Sequence, residues 1–126
     1  LQDVGAYTAG NGSGPLRTDN LAIGTLICYE GIFPWLAQAR TAEGANVLVD
    51  ISNDGWFGDT PAPRQHMYLT ALRALEQNRW LVRGTNTGIS CVVDPLGRIV
   101  FRGPQFTADA LFWRQIRMNR KYASVK

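Results

Sequence analysis

Short apolar runs, separated first by helical patterns and then by tight turns, confine this 126-residue chain to mixed α/β architectures. Leu21 to Cys28 (LAIGTLIC) and Asn46 to Ser52 (NVLVDIS) read as buried strands. Pro34 to Arg40 reads as a short helix that Gly44 can terminate. A longer helix runs from Thr60, with Pro61 and Pro63 near its first turn, to about Asn78. On it Tyr68, Leu72 and Leu75 form one stripe, and Met67, Ala71 and Ala74 lie beside it, so one face is expected to be buried. Strands follow at Trp80 to Thr85, Ile89 to Asp94 and Arg98 to Arg102, the last two joined by the turn Pro95-Leu-Gly97. The order β-α-β-α-β-β-β places helices against a sheet.

The ends of the chain have a different character. Residues 1–20, centred on Gly10-Asn-Gly-Ser-Gly-Pro15, read as a loop leading into the domain, as if the chain began in mid-domain. Residues 107–126 form a basic tail in which Arg114, Arg117, Arg120, Lys121 and Lys126 face only Asp109, so the formal charge of +3 belongs largely to it. A solvated terminus accounts for that charge, and no nucleic-acid partner is read from it. No run approaches the roughly 18 apolar residues of a membrane span. Cys28 and Cys91 are too few for a disulfide framework and read as free thiols.

Chemistry centres on Cys28, which ends its strand and is followed by Tyr29-Glu-Gly31 and the helix start at Phe33-Pro34. A strand that delivers a thiol to a sharp turn before a helix can present a nucleophile, since free backbone N–H groups and the positive helix end lower a thiol pKa and hold an oxyanion. A buried core cysteine is the other reading. Glu30, two residues on, shares the side of Cys28 if strand geometry persists; it would then disfavour the thiolate yet offer a base. Trp56 and Phe57, in the loop Asn53-Asp-Gly-Trp-Phe-Gly58 after a strand end, either line an apolar pocket or plug the core. His66, the only histidine, is expected to be a partly exposed helix residue, and no metal site can be built from it and two distant cysteines. The hydroxyls and amide of Thr85-Asn-Thr-Gly88 either hydrogen-bond a ligand or satisfy a turn, the turn being the favoured reading. Glu76 is expected to pair with Arg73 or Arg83, and Cys91 belongs to the core.

Taken together, Ile27-Cys-Tyr-Glu-Gly-Ile-Phe-Pro34, Ile51-Ser-Asn-Asp-Gly-Trp-Phe-Gly58, Arg64-Gln-His66, Arg73-Ala-Leu-Glu76 and Arg83-Gly-Thr-Asn-Thr-Gly88 closely resemble the carbon–nitrogen hydrolase (nitrilase) superfamily, and within it the apolipoprotein N-acyltransferases. The likeness covers residues 21–106, as the C-terminal half of the domain. It implies a partial α-β-β-α sandwich and a Glu–Lys–Cys triad without cofactor. It implies further that a fatty acyl group passes from a phospholipid, through a cysteine thioester, to the N-terminal amine of a diacylglyceryl lipoprotein at the periplasmic face of a bacterial inner membrane. Cys28 matches the nucleophile, the Tyr29 N–H part of the oxyanion hole, Glu30 an acidic neighbour, and Trp56 and Phe57 the substrate loop. The only lysines are Lys121 and Lys126, and the only glutamates Glu30, Glu43 and Glu76. The resemblance therefore leaves the base glutamate and the lysine without counterparts, their motifs being expected before Leu1. A fragment of a soluble amidase acting on small amides is the alternative.

Overall fold

The computed structural model describes Thr8 and residues 14–106; the basic tail and most of the leading loop lie outside the described residues. Six strands form one sheet in the spatial order of the chain: β1 (Leu16–Arg17), β2 (Ala22–Ile27), β3 (Val47–Ser52), β4 (Trp80–Thr85), β5 (Cys91–Val93) and β6 (Ile99–Arg102). The pairs β2–β3 and β3–β4 are parallel, and all others antiparallel. Two helices supply the parallel crossovers, α1 (Pro34–Ala42) between β2 and β3 and α2 (Ala62–Gln77) between β3 and β4. Within the expected loop, Leu16 and Arg17 add a two-residue edge strand against Ile23 and Ala22, pairing that local composition did not signal.

Local sequence explains the boundaries. Pro34 starts α1 at a position where its missing N–H costs nothing, and Gly44, at φ +98°, ends the helix in a conformation that favours glycine. Helix α2 ends on Asn78 at φ +50°, the non-glycine residue type best suited to a left-handed cap.

Strand parity decides the layers. Ala22, Gly24 and Leu26 of β2, Leu48 and Asp50 of β3, and Leu81 and Arg83 of β4 are buried beneath the helices. Leu26, Leu48, Leu81 and Val93 form the core with Ala37 of α1 and with Met67, Ala71 and Ala74 of α2. The buried stripe of α2 is thus the one with small residues, which let the helix approach the sheet; Tyr68, Leu72 and Leu75 are about half exposed. Residues of the opposite parity, Ile23, Thr25, Val49 and Val82, are only partly covered, and Ile27 and Ile51 are 63% and 58% exposed. Gly24 has no room for a side chain, because a Cβ there would stand 2.8 Å from the Cβ atoms of Arg40 and Ala45.

Candidate active site

The three parallel strands end together, with Ile27 registered on Ile51, Ile51 on Gly84 and Ser52 on Thr85. Their C-terminal ends, where α/β sheets place ligands, open on a cleft of about 780 Å³ whose lining includes Cys28, Ser52, Asn53, Thr85 and Asn86. Cys28 is half-buried there and unpaired, in a left-handed conformation at φ +53°. A non-glycine residue in that region carries strain of roughly 1–2 kcal/mol, held here by the packing around it.

That backbone turn corrects the expectation for Glu30. Strand geometry stops at Ile27, and Cys28–Ile32 winds into a 3₁₀ turn, so a two-residue spacing no longer places side chains on one side. The Glu30 carboxylate accepts a hydrogen bond from the Ile27 N–H at 2.9 Å, which ties the turn back to the end of β2. The same turn, not α1, supplies the N–H groups next to the thiol, since α1 begins six residues later. Tyr29 is exposed and packs edge-on against Phe33 with ring centroids 5.6 Å apart.

His66 also departs from expectation. It is 4% exposed, because the start of α2 packs under the Cys28 turn. Its Nδ1 lies 3.1 Å from Asp54 Oδ1 and its Nε2 3.3 Å from the Cys28 carbonyl oxygen. The histidine thus folds back towards Cys28, but it reaches the backbone and not the sulfur. The Ser52 hydroxyl donates to Asp54 at 2.7 Å and stands 3.4 Å from the Cys28 sulfur.

Beneath these groups lies a buried ionic floor. Arg83 is fully buried and donates through Nη1 to Asp50 and through Nη2 to both carboxylate oxygens of Asp54, at 3.1 and 2.9 Å. Asp50 sits opposite Arg83 in the β3–β4 register. Burial pushes the Asp50 carboxyl up to about 6 despite the Arg83 charge. Burial acts on Asp54 in the same sense, yet the hydrogen bonds from His66 and Ser52 and the Arg83 charge outweigh it and hold that carboxyl at about 2. Glu76 pairs instead with Arg73 at 2.8 Å. The one signal in the sequence for this floor is an Asp and an Arg in the middle of strands that are otherwise apolar.

The loop after β3 has two faces. Asp54 points inward, and Gly88 permits this, because a Cβ there would collide with its carboxylate. Trp56 is 87% exposed, so it does not plug the core, and neither it nor Phe57 lines the cleft. Phe57 packs against His66 with ring centroids 6.0 Å apart. In the 85–90 turn, Thr85 N–H donates to the Ser90 hydroxyl at 3.0 Å, which is the turn chemistry expected. Cys91 is fully buried, and burial raises its thiol to about 11. Among the described residues no helix is long and apolar enough to cross a membrane.

Comparison with known proteins gives the family and the fold. The family model described as carbon-nitrogen hydrolase matches residues 3–121. An apolipoprotein N-acyltransferase from Geobacter metallireducens is 43% identical over 108 residues, 86% of this chain and 21% of that protein. One from Pseudomonas paraeruginosa is 44% identical over 96 residues, 76% of this chain and 19% of that protein. The chain therefore spans about a fifth of the length of these relatives. Among solved structures, a carbon-nitrogen hydrolase from Helicobacter pylori superposes with a TM-score of 0.72 at 16% identity, covering 82% of this chain and 43% of the other. That likeness is one of fold.

Proposed function

Because this chain belongs to the carbon–nitrogen hydrolase family, we propose that Cys28 is the nucleophile of an acyl transfer, taking a fatty acyl group from a phospholipid and passing it to the N-terminal amine of a diacylated apolipoprotein. The observation that carries this reading is the placement of Cys28 on the lining of a cleft at the ends of three parallel strands, in a 3₁₀ turn whose first N–H groups have no acceptor within the turn itself. The kinship with apolipoprotein N-acyltransferases supports the choice of acyl transfer over amide hydrolysis.

In this reaction the thiolate of Cys28 attacks the ester carbonyl of the donor, and the carbonyl π electrons move onto oxygen. The Tyr29 N–H donates to that oxyanion; collapse of the intermediate expels the lysophospholipid alkoxide, which takes up a proton, and leaves a thioester on Cys28. The amine then attacks the thioester, loses a proton, and returns the thiolate. Splitting the transfer in two keeps each barrier within reach, and aligned N–H donors act in both halves. Glu30 contributes by closing the turn. Trp56, standing out from the loop, and Phe57 behind it are the proposed contacts for the acyl chain.

Neither a base glutamate nor an oxyanion lysine is matched within residues 1–126, so this segment by itself should turn over slower by several orders of magnitude, each such group contributing at least about 10²-fold. The proposed setting is the periplasmic face of a bacterial inner membrane, where both substrates reside. The test is incubation of the full-length protein with a fluorescent phospholipid and a diacylated lipopeptide. Expected are a hydroxylamine-sensitive adduct on the Cys28 peptide and an N-acylated lipopeptide. Hydrolysis of small amides with no transfer to the lipopeptide would replace this reading by an amidase.

A further inference from the structure

The buried histidine has no part in the chemistry just described, yet its Nε2 faces the Cys28 carbonyl oxygen at the nucleophile's turn. We infer that His66 is a positioning residue that locks the peptide plane between Cys28 and Tyr29, and so aims the Tyr29 N–H at the acyl oxygen. In a trans peptide the C=O of one residue and the N–H of the next lie in one rigid plane and point in opposite directions, and this chain has no cis peptide among its described residues. Fixing the Cys28 carbonyl therefore fixes the direction of the Tyr29 N–H. Left to itself this plane is poorly determined, because Cys28 occupies the left-handed region at φ +53°, where a residue with a side chain has little intrinsic preference to stay.

His66 Nε2–H supplies the restraint, donating to the Cys28 carbonyl at 3.3 Å. Its Nδ1 lies 3.1 Å from Asp54 Oδ1 and 3.1 Å from Arg83 Nη2, the two halves of a buried ion pair that Ser52 also joins. The ring thus cannot swing away without leaving that pair. Ser52 links the other end of the residue: its hydroxyl bonds the Asp54 carboxylate and stands 3.4 Å from the sulfur. One ion pair therefore anchors Cys28 at both its carbonyl and its thiol, and the Phe57 and Tyr29 rings close over the imidazole at 6.0 and 6.2 Å.

This inference rests on the proposed acyl transfer, and its test separates the two. Two variants divide the functions of the ring: His66→Gln keeps a donor where Nε2 stands, and His66→Asn keeps only a polar group where Nδ1 stands. Two reactions at Cys28 divide the chemistry, both followed on the Cys28 peptide by mass spectrometry. Acylation by a p-nitrophenyl ester forms the S–C bond through an oxyanion and releases p-nitrophenolate. Alkylation by iodoacetamide displaces iodide at a saturated carbon and needs no oxyanion donor. Their ratio cancels any change in thiolate fraction.

In the full-length protein His66→Asn should lower the acylation-to-alkylation ratio by about 10²-fold, the usual cost of one oxyanion donor, while His66→Gln stays within about threefold of wild type. An equal fall in both variants, or a fall in neither, overturns the assignment. A wild-type protein that alkylates at Cys28 but does not acylate overturns the acyl-transfer reading instead. The peptide plane is then read without turnover, from residual dipolar couplings of the Cys28–Tyr29 peptide. Reorientation in His66→Asn and not in His66→Gln is expected, and an unmoved plane in His66→Asn refutes the lock.

Discussion

Cys28 and Cys91 are the two thiols described in one chain, both carried on the same sheet, and they live in opposite worlds. Cys91 opens β5 and is paired across to Arg83 on one side and Arg102 on the other, sealed from solvent, with its thiol raised to about 11. Cys28 sits one residue past the end of β2, half-buried at the mouth of a cleft, with its backbone turned left-handed. The contrast is therefore set by strand neighbours and backbone turn, not by residue type or by apolar context, which the two share. A residue paired on both sides satisfies its backbone groups within the ladder; a residue past the strand end leaves the ladder.

Arg83 underlies both environments, so its removal breaks the comparison most severely. Arg83→Met would leave Asp50 and Asp54 buried without their cation and should cost about 3–5 kcal/mol in urea unfolding. Replacing Asp50 by Asn in the same protein should return part of that loss. A cost below about 1 kcal/mol would mean that the carboxylates are not held as described.

Next in size is the contrast in reactivity itself. At pH 8, iodoacetamide should modify Cys28 at least about 10²-fold faster than Cys91, because the buried thiol is scarcely ionised and out of reach. In urea the two rates should converge. Equal native rates would place Cys28 in the core after all.

The floor beneath the site predicts a stability profile with a shoulder on each side. Asp54 is depressed to about 2, so its contribution is present above the unfolded value of 3.8 and lost as pH falls from there through 2. Asp50 is raised to about 6, so the opposite holds: the folded state retains a proton that the unfolded chain releases, and stability declines as pH rises from about 4 through 6. Unfolding midpoints should therefore peak near pH 4 and level off above about pH 6, and Asp50→Asn should flatten the decline above pH 4. An unchanged slope in that variant would assign the decline to other groups.

The smallest effects sharpen the backbone side of the comparison. Cys28→Gly should be more stable than Cys28→Ala by about 1 kcal/mol, since glycine tolerates φ +53°. At Cys91 the order should invert by a similar amount, because glycine in a strand interior loses entropy and packing. The same order at both positions would contradict the turn at Cys28.

The sequence was most readable where pattern is local. Strand β4 falls on Trp80–Thr85 as periodicity predicts, and β2, β3 and β6 agree within a residue at each end. Elsewhere distance in the chain defeats pattern. His66, Asp54 and Arg83 meet only after α2 has folded under the Cys28 turn, so each looks unremarkable alone; an isolated histidine on a helix carries no sign of what will cover it. Glu30 failed for a different reason: one residue in the left-handed region reverses the alternation on which two-residue spacing depends. The edge strand Leu16–Arg17 pairs through backbone alone, and nothing in its composition marks it.

Because the cleft is put together from the ends of β2, β3 and β4, positions separated by whole crossover helices in the chain, nothing about it is fixed by the outward surface of those helices. Tyr68, Leu69, Leu72 and Leu75 form with Leu96 and Ile99 a second, apolar groove along α2. A change of side chain along that flank therefore leaves the residues that line the first cleft in place.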